Sequence, residues 1–227
     1  MCGIVERLAR SACGLLGLTL AGSALVGCAA TGDNLADESG FVTLFDGKTL
    51  DGWEVMGEKK DAFQAVDGVL YCSGKGGGWL RYAEKPFANF VLRLDYKVAP
   101  KANSGVFLRV ADPEDPVYTG FEVQVLDSYG RQQGCHDAGA IYDVVTPMYN
   151  MSKQAGEWNS FSIYCDDSVV VVHHNGRKII DTDFSVLTEP IGKFQTPYAQ
   201  LARKGWIGVQ DHDCEVWYRN IRIKELP

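Results

Sequence analysis

The 227-residue chain has no excess of positive charge. Lys and Arg number 22 against 29 Asp and Glu, and the formal net charge is −7. A nucleic-acid-binding domain would want a basic face, so nucleic acid is not an expected partner. The chain also lacks a second long apolar run. Only residues 11–27 are apolar enough to enter a bilayer, which excludes a multi-span membrane protein. Long helix-periodic runs are scarce. No C-x-x-C occurs, so a zinc ribbon is not expected. No H-E-x-x-H, P-loop or G-x-S-x-G is present. Gly74-Lys75-Gly76-Gly77-Gly78 lacks the Lys-Ser/Thr ending of a phosphate loop and reads as a turn. No repeat or low-complexity segment appears. What is present is 46% hydrophobic residues, 25 Gly and 11% aromatics. That supplies a substantial core for one domain and leans toward an all-β fold.

The N-terminus reads as an address. Arg7 and Arg10 precede the uncharged stretch Ser11–Gly27, which ends in small residues. This is the pattern of a secretory signal. Leu25-Val26-Gly27-Cys28 resembles the bacterial lipobox, in which the Cys carries lipid and becomes the mature N-terminus. Ala29 stands where an inner-membrane retention signal places Asp, so the resemblance implies anchoring to an outer membrane in a cell that has one. The expected divisions are a lipoprotein signal over 1–27, a flexible tether over 28–40 and one domain over 41–227. Cys72, Cys135, Cys165 and Cys214 then remain beside the lipidated Cys28. An exported protein allows them to pair, in connectivities that spacing cannot choose, and buried free thiols are the alternative.

Beyond the tether the pattern is short strands between turns. Asp67-Gly68 and Asn175-Gly176, each between apolar runs, predict tight hairpins. Phe90–Val98 alternates, with Phe90, Leu92, Leu94, Tyr96 and Val98 on one face and Arg93, Asp95 and Lys97 on the other. Further strands are expected over Val42–Phe45, Phe63–Cys72, Trp79–Tyr82, Gly105–Ala111, Phe121–Asp127, Trp158–Cys165, Val169–His174, Arg177–Asp181, Trp206–Gln210 and Val216–Lys224. About ten strands without interleaved helices predict a sandwich of two antiparallel sheets, with an up-and-down barrel as competitor. The segment 128–157 has no strand pattern and is expected to be a long functional loop.

The most informative strand is Phe121-Glu122-Val123-Gln124-Val125-Leu126-Asp127. Burying Phe121, Val123 and Val125 leaves Glu122 and Gln124 side by side on the opposite face. Asp127 has the wrong parity unless a bulge re-aims it. Carboxylates around an amide suit general acid/base work on a sugar. Gly105, Phe107 and Arg109 share one parity, and Arg109 is expected to bind a sugar hydroxyl or a carboxylate. Trp206, Gly208, Gln210 and His212 share another, with Trp206 offering a stacking surface. In the long loop, His136 is a candidate proton donor or metal ligand, and Tyr142 a sugar-binding hydroxyl. His173 and His174 have opposite parity, and both are expected to be structural.

Taken in order, Leu44-Phe45-Asp46-Gly47-Lys48-Thr49-Leu50-Asp51-Gly52-Trp53, Asn103-Ser104-Gly105-Val106-Phe107-Leu108-Arg109, Phe121–Asp127, Gly139-Ala140-Ile141-Tyr142-Asp143, Gly156-Glu157-Trp158-Asn159, Gly208-Val209-Gln210-Asp211-His212 and Arg219-Asn220-Ile221-Arg222-Ile223-Lys224 resemble the 3-keto-disaccharide hydrolase family. The resemblance spans roughly residues 41–226. It implies a concanavalin-like jelly-roll β-sandwich and action on glycosides oxidised at C3. The ketone acidifies the C2 proton, so a base can remove it and the C1–O bond can break by elimination before water adds.

On that reading Glu122 is the base or a metal ligand, with His212 and His136 as proton donors or metal ligands. Arg109, Gln124, Tyr142 and Gln210 bind sugar oxygens, and Trp206 stacks on the ring. A divalent metal is an open cofactor with no fixed ligand set. The substrate also implies a sugar 3-dehydrogenase that makes it. The same fold resembles retaining glucanases with Glu-x-Asp-x-x-Glu, but Gln124 and Asp127 depart from that pattern and put ordinary retaining hydrolysis in doubt. Conventional glycoside hydrolysis and a non-catalytic carbohydrate-binding module are the alternative functions.

Overall fold

A computed structural model describes residues 35–76 and 78–227. The apolar signal segment, Cys28 and the first part of the expected tether lie outside the described residues. Among the described residues no helix is long and apolar enough to cross a membrane.

The strands in chain order are β1 (Val42–Thr43), β2 (Trp53–Met56), β3 (Phe63–Val66), β4 (Val69–Ser73), β5 (Trp79–Tyr82), β6 (Phe90–Val98) and β7 (Asn103–Val110). A one-turn helix α1 (Pro116–Thr119) precedes β8 (Phe121–Leu126). Then come β9 (Asn159–Asp166), β10 (Val169–His174), β11 (Arg177–Asp183), β12 (Trp206–Gln210) and β13 (Glu215–Glu225). They form two antiparallel sheets. The eight-stranded sheet runs β11-β10-β9-β6-β13-β4-β3, with β1 pairing to β13, and the five-stranded sheet runs β2-β5-β12-β7-β8. Two sheets with distinct edges make a concanavalin-like jelly-roll sandwich and dispose of the barrel alternative.

The alternation anticipated along β6 holds. Phe90, Leu92, Leu94, Tyr96 and Val98 are buried and pack in one cluster with Val106, Leu108, Val123 and Val125 of the five-stranded sheet. Asp67 (φ 50°) and Gly68 (φ 83°) turn the β3–β4 hairpin, and Asn175 (φ 50°) and Gly176 (φ 80°) turn β10–β11. These left-handed pairs are the geometry that an Asx-Gly sequence favours. Strand β2 was not anticipated.

Residues 35–40 are not a free tether. Glu38 pairs with Arg222 and Arg93, each at 2.9 Å, and Asp37 pairs with Lys224 at 2.9 Å. Phe41 lies against the guanidinium groups of Arg93 (4.5 Å) and Arg222 (5.6 Å). This strap covers Arg93, which alternation alone would leave in solvent, and buries it on the outer face of the large sheet. The cysteines Cys72, Cys135, Cys165 and Cys214 are free thiols. Burial raises the thiols of Cys72 and Cys165 to about 12 each.

Candidate active site

The site lies on the face of the five-stranded sheet that turns away from the main core. Register places Glu122 opposite Phe107, Phe107 opposite Gly208, Gly208 opposite Arg81, and Arg81 opposite Glu54. The neighbouring row carries Gln124 opposite Gly105, Gln210 opposite Trp79, and Trp79 opposite Met56. Period-two alternation therefore brings side chains of all five strands onto one surface.

Glu122 is a buried carboxylate on this face. It is 8% exposed, and burial raises its carboxyl to about 7, with the Lys193 ammonium pulling the other way. Its side chain lies over Gly105. A Cβ at that glycine would stand 1.9 Å from Glu122 Oε1, so the missing side chain is what makes room for the carboxylate. Gln124, also buried, is oriented by its neighbours: with its amide nitrogen toward Glu122 it donates to Oε1 at 2.9 Å and to the Ser104 carbonyl at 2.8 Å.

The long loop closes around this pair. Backbone bonds from Gln124 N to Ala140 O, Gly139 N to Gln124 O and Tyr142 N to Glu122 O lay residues 139–142 along the free edge of β8. His136 and Asp143 meet through Nε2 and Oδ1 at 2.8 Å, and the His136 ring rests 4.9 Å from Tyr142. Burial raises the Asp143 carboxyl, but the bond from the Lys193 N–H, the His136 contact and both positive charges outweigh it and hold the group below the usual carboxylate range. Burial, then the charges of Glu122, Asp143 and Cys135, raise the Tyr142 phenol.

Lys193 lies close by, and its charge acts on both Glu122 and Asp143. Its Nζ lies over the rings of Tyr142 (4.6 Å), Phe194 (5.4 Å) and Tyr118 (5.7 Å). The nearby Tyr198 hydroxyl is buried without a hydrogen-bond partner among the described residues. Its phenol is raised by burial first and then by the charges of Glu122 and Asp143. Sequence reading singled out neither Lys193 nor Tyr198. Both stand outside the strand segments that periodicity could mark. Cys135, His136 and Asp143 each offer one donor atom, all within 4.8 Å of one another. A sulfur, an imidazole and a carboxylate together fit a borderline cation such as Zn²⁺.

Of the residues expected at the site, Glu122, Gln124, Tyr142 and His136 come together, and Gln210 shares their sheet face. Arg109 does not. Register runs Phe107 to Gly208 and Val110 to Trp206, so β7 carries one more residue than β12 over this stretch. Arg109 is that bulged position, with φ +51°. The bulge reverses the expected parity and turns the side chain away from Glu122. There it is 1% exposed and donates to the Ala88 carbonyl (2.8 Å), the Asp167 carbonyl (2.5 Å) and Asn89 Oδ1 (3.4 Å). Trp206 is on the site's sheet, but the Arg81 guanidinium already stacks on its ring at 4.4 Å. His212 is exposed on the turn after β12. Asp127 accepts the Lys101 N–H at 2.8 Å, at the β6–β7 turn, and is not turned toward Glu122. His174 is buried in the core against Tyr96 and Phe161, as a structural histidine would be.

Known proteins resemble this chain in sequence and in fold. A protein named 3-keto-disaccharide hydrolase, from Bacteroides thetaiotaomicron, is 29% identical over 234 residues, covering 84% of this chain and 80% of its own. Two solved structures from Parabacteroides distasonis, provisionally named glycosyl hydrolases, superpose with TM-scores of 0.74 and 0.70. They are 29% and 26% identical, and cover 82% and 83% of this chain and 99% and 94% of their own. Residues 40–224 match the family described as the 3-keto-alpha-glucoside-1,2-lyase-like domain, and the chain belongs to that family.

Proposed function

We propose that this protein cleaves the glycosidic bond of 3-keto glycosides by elimination, with Glu122 as the base. The observation that carries the reading is Glu122 buried on the site's face over Gly105, where burial raises its carboxyl to about 7 and the charge of the Lys193 ammonium acts on it. A carboxylate of that pKa is a far better base at neutral pH than an ordinary one. In the first step Glu122 takes the C2 proton, and the C–H electron pair forms the enolate whose negative charge rests on the C3 oxygen. Lys193, held over its aromatic rings, supplies positive charge for that oxygen. In the second step the enolate collapses, a C1=C2 double bond forms, and the C1–O bond breaks toward the leaving group. The leaving oxygen takes a proton, for which His136 and Tyr142 are the donors at hand. Water then adds at C1, and a proton returns to C2. A cation at Cys135, His136 and Asp143 would add a Lewis acid to this charge set.

Support from relatives is of two kinds. The family description names a lyase-like domain, and the Bacteroides relative is named as a hydrolase of 3-keto disaccharides. Elimination followed by hydration reconciles the two names. The orientation of Asp127 favours this route over two-carboxylate hydrolysis, since it leaves Glu122 without that partner.

The test is to incubate the protein with a 3-keto glucoside and its unoxidised parent in D₂O, with and without EDTA. Cleavage of the keto compound alone, with deuterium at C2 of the product, is the expected result. Cleavage of both, without deuterium, would replace elimination by conventional hydrolysis. Glu122→Gln is expected to lose about 10³-fold or more in kcat with its circular dichroism unchanged.

One observation favours sugar binding without cleavage as a second reading. Tyr71 and Trp217 stack at 5.5 Å on the outer face of the large sheet, far from the Glu122 face in topology. That reading predicts glycan affinity unaffected by Glu122→Gln and no product from any substrate. We also propose that Cys28 carries a lipid that anchors the chain in the cell envelope. Cys28→Ala is expected to abolish labelling by a radioactive fatty acid. A sugar 3-dehydrogenase is the class of enzyme that must supply the substrate.

A further inference from the structure

Two loops meet at the free edge of β8, and one side chain joins them. The segment 128–157 brings in His136, Tyr142 and Asp143, and the segment between β11 and β12 brings in Lys193. Asp143 lies where they touch. Its Oδ1 meets His136 Nε2 at 2.8 Å, and its Oδ2 accepts the Lys193 backbone N–H at 2.7 Å. Both oxygens of one carboxylate are therefore engaged, one in each loop.

The backbone is shaped for this contact. Asp143 adopts a left-handed conformation, φ +62°, and its N–H donates to the Cys135 carbonyl at 2.8 Å, which folds the first loop back on itself. In the second loop the Phe194 N–H donates to the Ile191 carbonyl at 3.0 Å, so residues 191–194 form a tight turn with Gly192 and Lys193 in its middle. Gly192 has φ +56°, and a Cβ there would stand 2.1 Å from Asp143 Oδ2 and 2.7 Å from the Asp143 carbonyl. Glycine is what lets the turn approach so closely. Tyr142, the residue before Asp143, donates its N–H to the Glu122 carbonyl at 3.0 Å. Its ring meets the Lys193 ammonium at 4.6 Å and the His136 ring at 4.9 Å. The joint therefore adjoins Glu122.

We infer that Asp143 is a positioning residue, which aims His136 at the leaving group and holds the Lys193 turn in place. The inference rests on the function proposed above and selects His136 over Tyr142 as the proton donor. With Nε2 against the carboxylate, Nδ1 is the ring nitrogen left to face a substrate. As the C1–O bond breaks, its electron pair stays on the leaving oxygen, which takes the Nδ1 proton of the imidazolium. The neutral ring then regains a proton from water. Holding the ring in one orientation keeps that transfer within reach, and holding the Lys193 backbone keeps its ammonium near the enolate oxygen. Neither of the two side-chain bonds reaches a sheet, so losing them leaves the core closed.

The test separates the proton donor from the fold. Asp143→Asn keeps an acceptor for the Lys193 N–H but turns an NH₂ group toward His136. The parent and this variant are compared on the 3-keto forms of methyl α-glucoside and p-nitrophenyl α-glucoside. Methanol leaves only with a proton supplied, whereas p-nitrophenoxide leaves without one. Asp143→Asn is expected to lower kcat about 10²-fold on the methyl compound and less than about threefold on the nitrophenyl one, with KM little changed on either. His136→Ala is expected to show the same split, and the double variant to lose nothing further. Equal loss on both substrates, or losses that multiply in the double variant, would overturn the inference. The joint is also read without substrate. A crystal structure of Asp143→Ala is expected to show His136 and residues 191–194 displaced and both sheets unchanged, and an unmoved ring and turn would overturn it. Displacement together with no cleavage of any keto compound by the parent protein sinks the proposed function and leaves the joint standing.

Discussion

At the scale of single residues, the site depends on a side chain that is absent. Glu122 occupies the space a Cβ on Gly105 would fill. Gly105→Ala is expected to displace the carboxylate and lower kcat by about tenfold or more, at an overpacking cost of about 1–3 kcal/mol. A thermal melt with steady-state kinetics would check both. On the proposed mechanism the carboxyl sets the pH profile. Because burial raises it to about 7, the base form is lost below neutrality, and kcat/KM is expected to rise with pH to a plateau above about 7. Lys193 lowers that value, so Lys193→Met removes a positive charge and is expected to move the acid limb to higher pH as well as lowering the plateau. A pH–rate profile with an unmoved limb would show that Lys193 does not act on Glu122. Glu122 and Gln124 were legible from alternation because a strand fixes parity. Lys193 was not, because a loop between strands has no period from which its direction can be read.

At the scale of elements, one extra residue separates a correct parity from a wrong one. Alternation held along β6 and β8, which stay in unbroken register with β9 and β7; the extra residue opposite β6 lies in β13, between Arg219 and Arg222. It failed on β7, where the bulge at Arg109 shifts every side chain after it by one position. Nothing in Asn103-Ser104-Gly105-Val106-Phe107-Leu108-Arg109 announces a bulge, since the left-handed position falls on Arg109 and not on a Gly, Asn or Asp that would mark it. The displaced guanidinium instead holds the Ala88 and Asp167 carbonyls together beneath the sheet edge. Arg109→Met would leave those acceptors unpaired. The expected outcome is a stability loss of about 1–3 kcal/mol with KM unchanged on the folded enzyme, whereas a raised KM at full stability would restore Arg109 to the sugar. Strand β2 escaped notice for another reason. Trp53-Glu54-Val55-Met56 places partly buried residues on both faces, so the alternation that marks a half-buried strand is missing.

At the scale of the whole molecule, two buried titratable groups act in opposite directions on stability. Burial lowers His174 from 6.5 to about 3, and its Nε2 meets the Tyr96 hydroxyl at 2.9 Å. The unfolded chain binds a proton there that the native protein excludes. That contribution is complete above 6.5 and is lost as pH falls toward 3. Glu122 is the reverse case, raised from 4.5 to about 7. The native protein keeps a proton that the unfolded chain has released, so its contribution is complete below 4.5 and is lost as pH rises through about 7. Each slope is at most about 1.4 kcal/mol per pH unit, and between 4.5 and 6.5 they oppose one another. Stability is therefore expected to be nearly flat in that window. Below it, surface carboxylates such as Asp46, held low first by the Thr49 N–H and then the Lys48 N–H, add to the acid loss. Above it, the ionised Glu122 weakens the fold, so the proposed base is a source of instability at neutral pH. Glu122→Gln removes this burden. The variant is expected to be inactive yet more stable than the parent at pH 8, by on the order of 1–3 kcal/mol, and about equal to it at pH 5. Urea unfolding at the two pH values measures the difference directly. A variant less stable than the parent at pH 8 would mean that the Glu122 carboxylate is stabilised in place, and that its proton affinity is not raised by burial.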